Sequence, residues 1–187
     1  MSRLDASGTD EMMELLRGLG SETERVCSMA LYKGAQITAD ALREATESLP
    51  TEPWHPVPGM RGGRPLEVIT EADKEDLLNG IGIAKFEHTG SGVSTAASFE
   101  GYTRRTERNF PNGVPLPMIA RSIESGSSVR RKNPFIRRTV TAREPEIIDA
   151  MEETVHNAVD VYVATGSLPA FDAGGGSGGK GTHKQRT

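Results

Sequence analysis

The residues best equipped for chemistry crowd into "IARSIESGSSVRRKNPFIRR", residues 119–138. Five cations, Arg130, Arg131, Lys132, Arg137 and Arg138, fall within nine positions there. Like charges so close repel one another, which calls for an anionic partner or free exposure to water. Three uses fit: an acidic protein surface, the phosphates of a nucleic acid, or a solvated basic face. Sequence-specific readout of DNA is better served by a recognition helix or stacking aromatics, and neither accompanies this cluster. Non-specific phosphate contact stays open.

The other candidates carry less. Gly174, Gly179 and Lys180 match the G-x-x-x-x-G-K spacing of a phosphate-binding loop, but Gly181 stands where a magnesium-binding Ser or Thr belongs. No apolar strand feeds that stretch and no helix follows, so its amides have no scaffold to hold them round a phosphate. His55, His88, His156 and His183 are scattered, and Cys27 is the single cysteine, so no set of metal ligands forms. His55, beside Trp54, reads as a loop histidine. Ser98 to Gly101 has no nucleophile-elbow pattern. The expectation is a non-enzyme with no catalytic, metal-binding or cofactor-binding residues.

The elements around the basic stretch explain its layout. Before it, "VPLPMIARSIESG" is a helix with Pro117 in its first turn, an apolar stripe through Met118, Ile119 and Ile123, and Gly126 as its stop. After it, Pro134 opens a helical turn carrying Phe135 and Ile136, with Val140 a candidate for the same buried side. Ile119, Ile123, Gly126, Pro134 and Phe135 are thus the expected structural anchors. A last helix over about 144–163 repeats Ile147, Ile148, Met151, Val155, Ala158, Val159 and Tyr162 at spacings of three and four, with Pro145 tolerated in its first turn.

Upstream, residues 9–49 read as a helix with Ser7 or Thr9 as its cap, interrupted near Gly18 and Gly20. Ser21 and Glu24 have the spacing to restart it. Its stripe of Val26, Ala30, Gly34, Ile37, Ala41 and Ala45 is rich in small residues, which lets a neighbour approach closely. Pro50 ends it, and the four prolines and three glycines of 51–65 predict an extended or mobile loop without regular structure. "ITEADKEDLLNGI" is a short helix capped by Thr70 and stopped at Gly80. Two alternating runs, Ile81–Glu87 and Val93–Phe99, flank the "HTGSG" turn as a hairpin, and "TRRTERNFPNG" is a polar loop. The architecture expected is α+β: a short antiparallel sheet packed against a long N-terminal helix and a C-terminal helix. Its organisation would be an arm over 1–8, one domain over 9–163, and a flexible glycine-rich tail over 164–187.

Composition narrows the setting. The 187 residues hold 35% hydrophobic and 5% aromatic residues, so the core is built from aliphatic side chains rather than large rings. No apolar run reaches the roughly 20 residues needed to cross a bilayer. The N-terminal "MSRLDASGTDEMMELL" lacks the apolar centre of a signal peptide. A soluble, non-secreted chain is expected, with no membrane partner. Net charge is −4, yet residues 1–100 hold 17 acids and 9 bases while residues 101–187 hold 9 acids and 13 bases. Ten of those bases lie within 101–143, opposed only by Glu107 and Glu124. Such polarity suits head-to-tail contact with copies of the chain or with a neighbour.

"VPLPMIARSIESGSS", "KNPFIRRTV" and the final amphipathic helix together resemble the tail-completion (neck, head–tail joining) proteins of long-tailed double-stranded DNA phages. "YKGAQITADALREATESLPT", "DLLNGIGIAKF" and "FEGY" extend the match over about residues 10–163. The Pro-rich stretch 50–65 and the glycine-rich tail depart from it. The resemblance implies a small α+β module that assembles as a homo-oligomeric, hexameric ring between the capsid connector or stopper and the tail terminator or tail tube. It implies a place in the virion neck after assembly in the host bacterial cytoplasm, and no catalytic residues. In that setting Arg130, Arg131, Lys132, Arg137 and Arg138 would face an acidic neighbour or the DNA in the channel. A DNA-binding protein using the basic segment 121–138 is the alternative.

Overall fold

The computed structural model describes residues 7–89, 92–107 and 109–171, with side chains from Gly18 onward apart from Ser21 and Thr89. These residues form an α+β fold. Helix α1 (Ser7–Glu47) is followed by strands β1 (Thr51–Glu52) and β2 (Ile69–Thr70) and helix α2 (Glu71–Gly80). Strands β3 (Ile81–Ile83), β4 (Glu87–Thr89), β5 (Gly92–Ser94) and β6 (Ala97–Phe99) come next. Helices α3 (Leu116–Ser125) and α4 (Phe135–Thr165) complete the order.

Within the span expected as one domain, the described residues fall into two compact units. One takes the chain up to Gly34, then Phe86–Thr95, then the chain from Glu146; the other takes Ala35–Lys85 and Ala96–Pro145. Each has its own core.

The second unit is centred on Leu77, which is fully buried, with Phe99, Leu116, Ile119, Ile123 and Phe135 around it. β3 and β6 pair antiparallel with Ile81 opposite Phe99, and the Phe99 ring meets the Phe135 ring edge-on at 6.3 Å. α2 begins where Thr70 Oγ1 accepts a hydrogen bond from the Asp73 amide, so the cap read from "TEAD" forms. Arg43 Nη2 donates to the Ile81 carbonyl and Lys74 Nζ to the Leu49 carbonyl, which ties the later part of α1 to this sheet and to α2.

The first unit pairs β4 with β5 and packs the earlier part of α1 against α4 through Val26, Ala158, Tyr162 and Leu168. A Cβ on Gly34 would sit 2.7 Å from Met151 Sδ and 3.3 Å from Ile147 Cγ2, and one on Gly18 would collide with the Tyr162 phenol. Gly34 of the α1 stripe, and Gly18 before it, are places where α4 comes close. That contact also explains why α1 runs unbroken past Gly18 and Gly20, where an interruption was expected: tertiary packing overrides the weak helix preference of glycine.

Five other expectations change. The hairpin is two separate ladders, because the outgoing chain has one residue more than the returning chain between them, so one alternation cannot run through both. Part of the "HTGSG" turn lies outside the described residues. The loop after Pro50 is not free of regular structure, since β1 pairs in parallel with β2, Thr51 opposite Ile69. α4 is a single helix from Phe135 to Thr165 with Pro145 inside it, not a turn followed by a helix from 144. Nor does a tail start at 164. The Gly166 amide donates to the Tyr162 carbonyl, Leu168 is buried, and the Phe171 ring lies 5.8 Å from that of Tyr32. Of the arm expected over 1–8, Ser7 and Gly8 are already helical. The rest of the arm, and the tail with its Gly174–Lys180 loop motif, lie outside the described residues.

Candidate functional site

The basic stretch is held at both ends by main chain. α3 stops at Gly126, whose φ of 76° is left-handed, and a Cβ there would press on Lys132 at 3.1 Å. A turn follows in which the Ser127 amide donates to the Arg130 carbonyl at 2.9 Å. The Leu66 amide donates to the Val129 carbonyl and the Arg131 amide to the Leu66 carbonyl, both at 2.9 Å, so the cations sit on a short parallel pairing with the chain entering β2. The Asn133 amide then donates to the Ile123 carbonyl at 2.7 Å, which returns the chain to α3. Ile119, Ile123 and Phe135 are buried in the core of this unit, and Pro134 immediately precedes α4.

Glu124 has a part that the sequence reading missed. Its carboxylate accepts from the amides of Ile136 at 2.9 Å and Arg137 at 3.2 Å, the unpaired donors at the start of α4. A carboxylate there also suits the positive end of the helix dipole. Among the ten bases of 101–143, one of the two opposing acids thus serves as a helix cap.

The five cations divide. Arg130 does not point outward: its side chain is 5% exposed and its Nη2 donates to Asp73 Oδ2 at 2.7 Å, with Asp73 2% exposed. It is buried with Asp73 and is not one of the surface cations. The reason is the acidic edge of α2, whose buried Asp73 takes a buried cation. Asp73 also has Arg105 at 3.7 Å, while Arg104 holds Asp76 through Nε and Glu75 through Nη2, both at 2.6 Å. The hydrogen bond and charge of Arg104 keep the Glu75 carboxyl below the usual carboxylate range, and the two acids push the Arg104 guanidinium above its own. Part of the charge asymmetry between the chain's halves is therefore settled internally, α2's acids meeting Arg104, Arg105 and Arg130.

The other four remain at the surface. Arg131 pairs with Glu67 at 2.9 Å with both side chains exposed, and Arg137 approaches Glu124 only to 3.9 Å. Arg138 donates to the Pro134 carbonyl and to Asn133 Oδ1. Lys132 is exposed. Exposed pairs of this kind hold their partners by about 1 kcal/mol or less, so a stronger anion can displace them.

The loop after β1 is more ordered than its composition suggests. Glu52 Oε1 accepts from the amides of Glu67 at 2.6 Å and Val68 at 3.0 Å, closing the base of the loop. Those amides, Val68's above all, hold the Glu52 carboxyl below its ordinary value. His55 Nε2 lies 3.5 Å from Glu52 Oε2, so the histidine does have an acidic neighbour in the loop. Among the described residues no group of three or more His, Cys, Asp or Glu is placed to hold a metal ion, and no helix is long and apolar enough to cross a membrane.

Comparison with family models, with curated proteins and with solved structures returned no match.

Proposed function

We propose that this chain is a structural component of a phage neck, joining tail to capsid connector as a homo-oligomeric ring. The observation that carries the reading is the likeness of "VPLPMIARSIESGSS" and "KNPFIRRTV" to the neck family. The construction of that segment supports it: buried apolar ends fix a short run of chain whose Arg131, Lys132, Arg137 and Arg138 stay exposed. Such a device holds charge in a set place. The neighbours it serves are the next subunit and the connector-side and tail-side proteins of the neck, with channel DNA as a non-specific anion.

Reversing Arg131, Lys132, Arg137 and Arg138 to Glu should leave the fold intact and abolish head–tail joining. A normal infectious titre from that mutant overturns the reading. DNA binding as the primary role is separated by salt, since phosphate contacts weaken log-linearly with salt concentration. A protein that joins heads to tails and shows no such DNA affinity excludes it.

A further inference from the structure

The first unit carries an apolar groove of about 780 Å³ that the basic segment does not touch. Cys27 and Leu31 of α1, Val93 of β5, and Ile148 and Met151 of α4 line it, with Glu152 also on its wall. Ile148 is 46% exposed, a large aliphatic side chain left in water. The α4 face beside the groove is acidic. From Glu146 to Thr165 the helix carries five acids and no Lys or Arg, and Asp149, Glu152, Glu153 and Asp160 are exposed.

The second unit presents a complementary piece. Residues 53–65 form a closed loop on the base made by β1, β2 and Glu52. Inside it the Met60 amide donates to the Val57 carbonyl, the Gly63 amide to the Met60 carbonyl and the Arg64 amide to the Pro56 carbonyl. Trp54, the only tryptophan of the chain, is 54% exposed and Met60 53% exposed. Arg61 and Arg64 are exposed beside them. Tryptophan and arginine are the residues that most often dominate a protein interface, and a loop ordered before contact loses less entropy on docking.

We propose that the Trp54–Arg64 loop of one copy docks in the Cys27–Met151 groove of the next. Apolar Trp54 and Met60 enter the apolar groove, and Arg61 and Arg64 meet the acidic face of α4. Groove and loop are different surfaces of the chain, so the contact is head-to-tail, the kind that closes into a ring. The inference rests on the self-assembling ring proposed above and supplies its contact.

The single cysteine allows a direct test. Cys27 is exposed in the groove, so Met60→Cys creates a second thiol on the loop without touching a buried residue. Under mild oxidation at high protein concentration the full-length Met60→Cys protein should give a reducible ladder of dimers, trimers and larger species. Cys27→Ser combined with Met60→Cys should lose the ladder. Mixing that double variant with the unaltered protein should give mixed dimers joined through Cys27 and the new Cys. Trp54→Ala with Arg61→Glu should weaken self-association at least about 10-fold, measured by sedimentation.

An oxidised monomer of altered mobility would mean the loop fills its own groove and would overturn the proposal. Monomers only, or dimers joined through Cys27 alone, would overturn it equally. Those failures leave the neck reading to the infectious titre of the charge-reversed mutant, so the two stand or fall separately.

Discussion

Arg130 and Lys132 stand two residues apart and have opposite fates, which sets up a clear experiment. Arg130→Ala leaves buried Asp73 with only the more distant Arg105 and should destabilise the fold by about 3 kcal/mol, read as a fall in urea midpoint. Lys132→Ala, at an exposed site, should shift stability by no more than about 0.5 kcal/mol. Replacing Asp73 and Arg130 together by apolar residues of similar size should recover much of the loss, because the desolvation cost disappears with the charges. The sequence alone does not separate these two cations. Asp73 and Arg130 are 57 residues apart, and nothing local to "VRRK" marks its first residue as the buried one. The Thr70 cap, by contrast, is legible because the hydroxyl and the amide it serves are three residues apart. A second residue-scale expectation concerns pH. The Glu52 carboxyl is held below its ordinary value, so its contribution to closing the loop is full above the unfolded value of about 4.3 and is lost as pH falls through the lower, folded one. Protection of the Val68 amide, corrected for intrinsic exchange, should therefore hold at neutral pH and drop in acid. Glu52→Gln should flatten that dependence.

Helices α1 and α4 show what periodicity can and cannot fix. The apolar spacing of Ile147, Met151, Val155, Ala158 and Tyr162 places them correctly on a helix, and the small-residue stripe of α1 marks where a neighbour packs. The extents of both elements escape the same reading. Proline at 145 is strong local grounds for starting a helix, yet α4 begins ten residues earlier, at Phe135, where Glu124 of α3 caps it and Phe135 is buried. That cap comes from another element and leaves no local signature. Pro145 withholds a donor from the carbonyl one turn back, so Pro145→Ala should raise the thermal midpoint, with a gain of up to about 3 kcal/mol in stability. Gly34→Leu should do the reverse, since even a Cβ there already meets Met151 and Ile147. Loss of α4 packing in the first unit would show as weaker protection of the Tyr162 and Val163 amides.

On the scale of the whole molecule, the described residues form two compact units with separate cores. Asp73, Glu75 and Asp76 of α2 are matched inside the second unit, whereas Asp149, Glu152, Glu153 and Asp160 of α4 and the four surface cations near its start remain exposed. Composition makes the charge polarity visible but cannot tell internal neutralisation from charge left for a partner, because that depends on contacts between segments far apart in the chain. The exposed remainder is the charge that the proposed neck role draws on. The most direct test of that role is electron microscopy of particles made by a phage lacking this chain. DNA-filled heads and complete but separate tails are expected, restored to joined particles when the chain is supplied in trans. Joined, infectious particles formed without it would contradict that role.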